Sequence, residues 1–251
     1  MSHALGVDIG GTGIKAAIVD TLSGELVTDR VKLYTPKGGE PDDVVETVLE
    51  VVDKLGGVPE GVPVGVCFPA IVKKGRTLSA ANISKAWIGL EAEALFERAL
   101  GRDITFVNDA DAAGYAELHF GAANNIEGLV IVTTLGTGIG SAMIYDGTLI
   151  PNTELGHLEI GGKNAESRAS YGAKERDGLD WKAWVKRLQK YYAHVERLFS
   201  PDLFVIGGGV SKNADEFMPL LKLDTPVVPA VHRNNAGILG AAALATVTHP
   251  V

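Results

Sequence analysis

One tetrapeptide, GTGI, occurs twice in this chain, at Gly11–Ile14 and again at Gly136–Ile139, half a chain apart. Each copy sits between two apolar runs, in ALGVDIGGTGIKAAIVDTLSGEL and in GLVIVTTLGTGIGSAMIYDGTLI. Four small residues can recur by chance. Matching strand patterns on both sides of the turn make duplication the better account. A duplicated strand–turn–strand opening implies two similarly folded lobes, and the expectation is that the two glycine turns converge on a cleft.

The remaining pattern is that of an α/β chain, short apolar runs alternating with helical stretches. Residues 4–8, 14–20 and 25–33 read as successive strands, and a helix is expected at about 41–55, where Val44, Val45, Val48, Val51 and Val52 follow Pro41 in helical spacing. VPVGVCF and ITFVND read as further strands, and LEAEALFERAL and the Ala-rich ADAAGYAELHF as helices. A charged helical stretch at about 180–199 leads to PDLFVIGGGVSK, a buried strand running into three glycines, and NNAGILGAAALA closes the chain as a small-residue helix. No Pro/Ser-rich linker separates the lobes. The repeat puts the boundary between the lobes near 109–127, and 251 residues leave each room for a core.

Several function classes drop out on composition. No apolar run approaches the roughly 18–20 residues of a membrane span, and MSHALGVDIGG enters a strand pattern without a basic region or cleavage site, so a cytoplasmic protein is expected. A net charge of −8 argues against a general nucleic-acid binder. Cys67 is the only cysteine, which excludes an internal disulfide and a cysteine-built zinc site; in VGVCFPA it reads as a core thiol.

Three glycine turns end strands: DIGGTGIK with Gly10, Gly11, Thr12, Gly13 and Lys15; TLGTGIGS with Thr134, Gly136, Thr137 and Gly138; and IGGGVSK with Gly208, Gly209 and Ser211. Glycine lets backbone N–H groups approach an anion, and the hydroxyls add donors. One such turn is a hairpin requirement, whereas three favour phosphate binding. Neither GxxxxGK[ST] nor a complete GxGxxG is present, so a P-loop and a dinucleotide site are not supported. Asp8 precedes the first turn, where a carboxylate beside bound phosphates suits a Mg²⁺ held through water. Lys15 reads equally as a phosphate contact or a solvated turn residue.

At VNDADAA a strand gives way to a helix, placing Asn108, Asp109 and Asp111 at the junction. Phosphoryl transfer to an alcohol needs a base beside the attacking hydroxyl, a role open to Asp109, with Asn108 orienting the acceptor. Asp109 could equally be a helix N-cap and Asp111 a first-turn partner of the helix dipole. The segment ELGHLEIGGKNAESRAS gathers Glu154, His157, Glu159 and Glu166, which could serve zinc, acid/base chemistry or the grip on a polar ligand. Lys163, Arg168, Lys174, Arg176, Lys182, Lys186 and Arg187 form a basic run in an acidic chain, either a solvated face or an anion track.

Together DIGGTGIK, the Asn108–Asp109 pair, LGTGIG, ELGH and the late GGGV resemble the ROK sugar kinases over nearly the whole chain. That resemblance implies a two-lobed actin-like ATPase (ribonuclease H-like) fold with an interdomain cleft, the small lobe at 1–108 plus about 236–251 and the large lobe at 109–235. ROK repressors add an N-terminal helix-turn-helix, for which a first strand near Ala4 leaves no room. ELGHLEI followed by AESRAS is most similar to the polyphosphate-using glucokinase branch, which lacks the Cys-rich zinc loop of other members; GGKN stands where that loop would be.

The resemblance implies Mg-dependent phosphorylation of glucose at its 6-hydroxyl from inorganic polyphosphate and ATP, no zinc, and a homodimer. It makes Asp109 the catalytic base, and Asn82, Asn108, Glu154, His157 and Glu166 sugar-hydroxyl ligands. The first two glycine turns become the phosphate-donor site and GGGV a segment near a nucleotide base. The basic run, above all Lys163, Arg168, Lys174 and Arg176, becomes a candidate polyphosphate track, and Glu159 a structural or supporting residue.

Overall fold

The structure is a computed structural model that describes residues 2–81 and 83–247. The chain divides into two compact units, Met1–Ala116 with Asn235–Val251 and Glu117–Asn234. This division falls inside the helix Asp109–Phe120, a few residues beyond the expected lobe boundary at 108/109.

In the first unit His3–Ile9 and Ile14–Asp20 form the antiparallel hairpin, closed at the pair Ile9 and Ile14. Val64–Phe68 then pairs parallel to His3–Ile9, and Thr105–Asn108 parallel to Val64–Phe68. The stretch 25–33 is two short strands, Glu25–Leu26 and Val31–Leu33, both paired with Ile14–Asp20. The break has a local cause, since the Thr28 hydroxyl accepts from the Ile18 N–H at 3.1 Å where a ladder carbonyl would have done so.

One side of this sheet is covered by the helix Pro41–Lys54, which buries Val44, Val48, Val51 and Val52 as its spacing implies, together with Trp87, Phe96 and Phe106. Against the other side lies the helix Ala236–Leu244, almost every residue of which is buried. Its approach depends on strand glycines: a Cβ at Gly6 would stand 2.0 Å from the Ile238 carbonyl oxygen, and one at Gly65 1.9 Å from that of Ala241. Small residues on both partners let backbone meet backbone, which explains why a helix this poor in large side chains can be a core element.

The second unit repeats the plan. Leu129–Leu135 and Ile139–Tyr145 are antiparallel, Leu203–Gly207 adds parallel to Leu129–Leu135, and Val227–Pro229 parallel to Leu203–Gly207, with Thr148–Ile150 on the outer edge. The helix Trp181–Phe199 covers this sheet with Trp184, Val185, Leu188, Tyr191, Tyr192 and Val195. It is capped by Asp180, whose carboxylate accepts from the Ala183 N–H at 2.7 Å. Two short helices, Glu166–Ala169 and Tyr171–Arg176, and the strand Val227–Pro229 lie outside the elements read from periodicity, because each is too short to carry one. No helix among the described residues is long and apolar enough to cross a membrane.

Candidate active site

In the first unit, Asp8 and Lys15 are cross-strand partners flanking the turn Gly10–Gly13, which is closed by Gly10 N–H donating to the Gly13 carbonyl at 3.0 Å. The Lys15 ammonium donates to Asp8 Oδ2 at 2.9 Å. Among the described residues, Asp8 Oδ1 has only the weak Cys67 thiol donor, 3.7 Å away. That leaves a hard oxygen acceptor at the strand end. Cys67 is completely buried, and burial above all, then the Asp8 and Asp109 charges, pushes its thiol well above the ordinary value against an opposing Lys15. It is the inert core thiol its sequence context suggests.

Asn108 is buried at the end of Thr105–Asn108, and its Oδ1 accepts from the N–H groups of Ala110 at 2.8 Å and Asp111 at 3.0 Å. This is N-cap geometry, so the cap of the helix Asp109–Phe120 is Asn108 and not Asp109. One amide hydrogen of Asn108 goes to the Ala70 carbonyl at 2.9 Å, which leaves its second for any ligand. Asp109, relieved of capping, is half-buried at the first helical position. Asn82 lies outside the described residues.

In the second unit the turn Gly136–Gly138 mirrors the first, with Gly136 N–H donating to the Gly138 carbonyl at 3.0 Å. Thr134 is half-buried at the strand end and Thr137 exposed at the tip. Gly136 also accepts from the Gly172 N–H at 2.8 Å, which ties the turn to the helix Tyr171–Arg176. Glu166 reaches the same turn: its Oε2 accepts from the Ile139 N–H at 3.1 Å, over a Gly138 whose missing Cβ would sit 2.4 Å from that oxygen. Gly208 (φ +82°) packs against Leu135, where a Cβ would come within 2.5 Å of backbone, and Ser211 spends its hydroxyl on the Gly208 carbonyl at 2.8 Å. Gly209 follows, with open space where a Cβ would stand.

Of Glu154, His157, Glu159 and Glu166, three converge. His157 Nε2 is 3.6 Å from Glu154 Oε2, and His157 Nδ1 is 3.8 Å from Glu166 Oε1 and 2.9 Å from Asn164 Nδ2. Burial, helped by the Glu166 charge and opposed by His157, raises the Glu154 carboxyl above its ordinary value. Glu159 is exposed and pairs through its backbone with Asn164 across the loop, apart from the trio. Carboxylates and an imidazole grouped this way accept and donate in fixed directions, which is what a polyhydroxyl ligand requires. Among the described residues, no three of His, Cys, Asp and Glu are grouped so as to hold a metal ion.

The basic run separates into two kinds of residue. Lys174 is packed away, its ammonium 4.5 Å from the Trp181 ring centroid and 3.0 Å from Glu175 Oε1, with 13% of its side chain exposed. Arg176 donates to Asp177 at 2.9 Å and to the Ser167 carbonyl at 2.8 Å. Lys163 and Arg168 are exposed, and among the described residues their cationic groups have no hydrogen-bond or ion-pair partner. Two residues that periodicity did not single out, Lys190 and Tyr191, line one cavity with them and with Arg187.

With two like-built sheets, each turning on glycine beside charged residues, the chain matches the ROK family model over residues 4–175. It belongs to the ROK family and has the actin-like ATPase fold of its sugar kinases. It is 48% identical over 250 residues to a polyphosphate glucokinase of Mycobacterium tuberculosis (strain CDC 1551 / Oshkosh), covering 98% of this chain and 93% of the relative. The inorganic polyphosphate/ATP-glucomannokinase of Arthrobacter sp. strain KM superposes with a TM-score of 0.96 at 51% identity, covering 99% of this chain and 100% of that one. A ROK family glucokinase from Streptomyces griseus, solved with glucose and AMPPNP, gives a TM-score of 0.79 at 25% identity over 96% of this chain and 98% of the other.

Proposed function

We propose that this protein transfers the terminal phosphoryl group of inorganic polyphosphate, and also that of ATP, to the 6-hydroxyl of glucose. The observation that carries the reading is near-full-length similarity, at 48% identity, to a polyphosphate glucokinase. The 51% identity to a polyphosphate/ATP-glucomannokinase supports both donors.

In this reading the Asp109 carboxylate takes the 6-hydroxyl proton, and the sugar oxygen forms a bond to the terminal phosphorus. The bridging P–O bond then breaks, leaving ADP or a polyphosphate one unit shorter. The cap geometry supports Asp109 as the base, because Asn108 satisfies the helix end and Asp109 need not. Glu154, His157, Glu166, Asn108 and Asn82 hold sugar hydroxyls, and a sugar lacking one of them would leave its partner unpaired, which makes such a site selective. The turns Gly10–Gly13 and Gly136–Gly138, with Thr12, Thr134, Thr137 and Lys15, bind donor phosphates, and Gly208 and Gly209 lie near the nucleotide base when ATP is the donor.

Asp8 fits a divalent cation, because one carboxylate with a spare oxygen and the donor's phosphates is the donor set Mg²⁺ accepts through water. Mg²⁺ bound there would neutralise charge on the transferring phosphoryl group. The homodimer implied by the family resemblance belongs to the same proposal.

Asp109→Asn tests the base assignment. General-base catalysis contributes about 10²–10⁴-fold, so kcat should fall by that much while glucose still binds. Near-normal turnover by a glucose-binding variant would rule Asp109 out.

A further inference from the structure

The unit Glu117–Asn234 contains a cavity of about 270 Å³ lined by Lys163, Arg168, Arg187, Lys190 and Tyr191, with Ala165 and Ile160 among the apolar remainder. Its charged lining residues are all cations, in a chain of net charge −8. Arg187 gives one nitrogen to Asp177 at 2.6 Å, which leaves its other guanidinium donors. Among the described residues, the cationic groups of Lys163, Arg168 and Lys190 have no partner. Tyr191 contributes to the wall while its hydroxyl is itself buried, so the polar groups that face a ligand are the cations.

Lysine and arginine only donate, so these side chains suit a ligand made of acceptors. A sugar, which needs acceptors as well as donors, is poorly matched. A nucleotide base would want an exposed ring to stack on, and Tyr191 is 1% exposed. Phosphate oxygens meet every condition. The loop carrying Lys163 and Arg168 is also tied to the turn Gly136–Gly138 through Glu166 and the Ile139 N–H, so the cavity belongs to the same local framework as a proposed donor turn.

We propose that this cavity is a phosphate subsite that anchors an inner segment of the polyphosphate donor, away from the phosphoryl group being transferred. The inference rests on the polyphosphate reading above and sharpens it, with Arg187 and Lys190 taking the place that Lys174 and Arg176 would have had. ATP is too short to need such an anchor, so the subsite distinguishes donors by length.

The test compares wild type with Lys163→Ala/Arg168→Ala/Lys190→Ala, whose substituted side chains are exposed. For the triple variant, the ratio of kcat/KM with long-chain polyphosphate to kcat/KM with ATP should fall roughly tenfold, three exposed cations each contributing a few-fold. The gain from lengthening the chain beyond tripolyphosphate should also disappear. Long-chain polyphosphate should raise the melting temperature of wild type, and raise that of the triple variant less.

An unchanged donor ratio in the triple variant, with wild type active on polyphosphate, would overturn the subsite and leave the activity intact. If orthophosphate protected wild type as well as long chains did, the cavity would hold a single anion and not a donor segment. Wild type inactive with every polyphosphate would overturn both readings together.

Discussion

Gly138→Ala should change the sign of its effect on stability according to what stands at position 166. The Cβ it introduces would lie 2.4 Å from Glu166 Oε2, so the carboxylate has to retreat by roughly 1 Å to reach ordinary contact. Its hydrogen bond from the Ile139 N–H, now 3.1 Å, would then exceed bonding distance. Ile139 is 3% exposed, so the orphaned N–H costs about 1–3 kcal/mol. Gly138 does not occupy the left-handed region, and alanine there restricts the unfolded chain, contributing about 0.4–1 kcal/mol of stability.

In wild type the balance is a destabilisation of roughly 0.5–2 kcal/mol. In Glu166→Ala the bond is already gone and nothing obstructs the new methyl, so Gly138→Ala should stabilise by about 0.4–1 kcal/mol. Urea unfolding of the four proteins in a double-mutant cycle would give a coupling of about 1–3 kcal/mol. Equal destabilisation by Gly138→Ala in both backgrounds would refute the reasoning, because the cost would then not pass through Glu166.

Other outcomes follow from the same geometry. Gly65→Ala drives a methyl into the Ala241 carbonyl, backbone that cannot swing aside, and should cost about 3 kcal/mol in urea unfolding; wild-type stability would contradict the close helix packing. Glu154 binds its proton more tightly folded than unfolded, so it withdraws stability as pH rises from about its ordinary value of 4.5 through the raised folded value, and the deficit is constant above that. Glu154→Gln cannot ionise and should therefore gain on wild type in melting temperature across that rise. A gain confined to acid pH would reverse the sign and the account.

Much of the fold was legible because its signals are periodic or repeated. The helix Pro41–Lys54 starts at its proline and buries the valines its spacing picks out, and the two GTGI hairpins head sheets of the same strand order. Interactions that depend on distant partners were not legible. Asn108 and Asp109 are both good caps by composition, and only the bonds to Ala110 and Asp111 separate them. The strand break at Thr28 depends on one hydroxyl facing Ile18.

The basic run illustrates the same limit in the site. Charge alone makes Lys174 and Lys163 equivalent, yet one is stacked over Trp181 and the other is exposed on a cavity wall. Arg187 and Lys190 stand one helical turn apart, with Tyr191 beside them, a spacing that could have drawn attention to this face of Trp181–Phe199. Nothing in the letters says that the Tyr191 hydroxyl lacks a partner, because that depends on everything packed around it.

The most direct measurement is formation of glucose 6-phosphate by the purified protein from glucose, Mg²⁺ and polyphosphate freed of nucleotides. The account predicts product with polyphosphate as the sole donor, and with ATP in a parallel reaction. Product with ATP alone would make this an ATP-dependent hexose kinase and contradict the central claim.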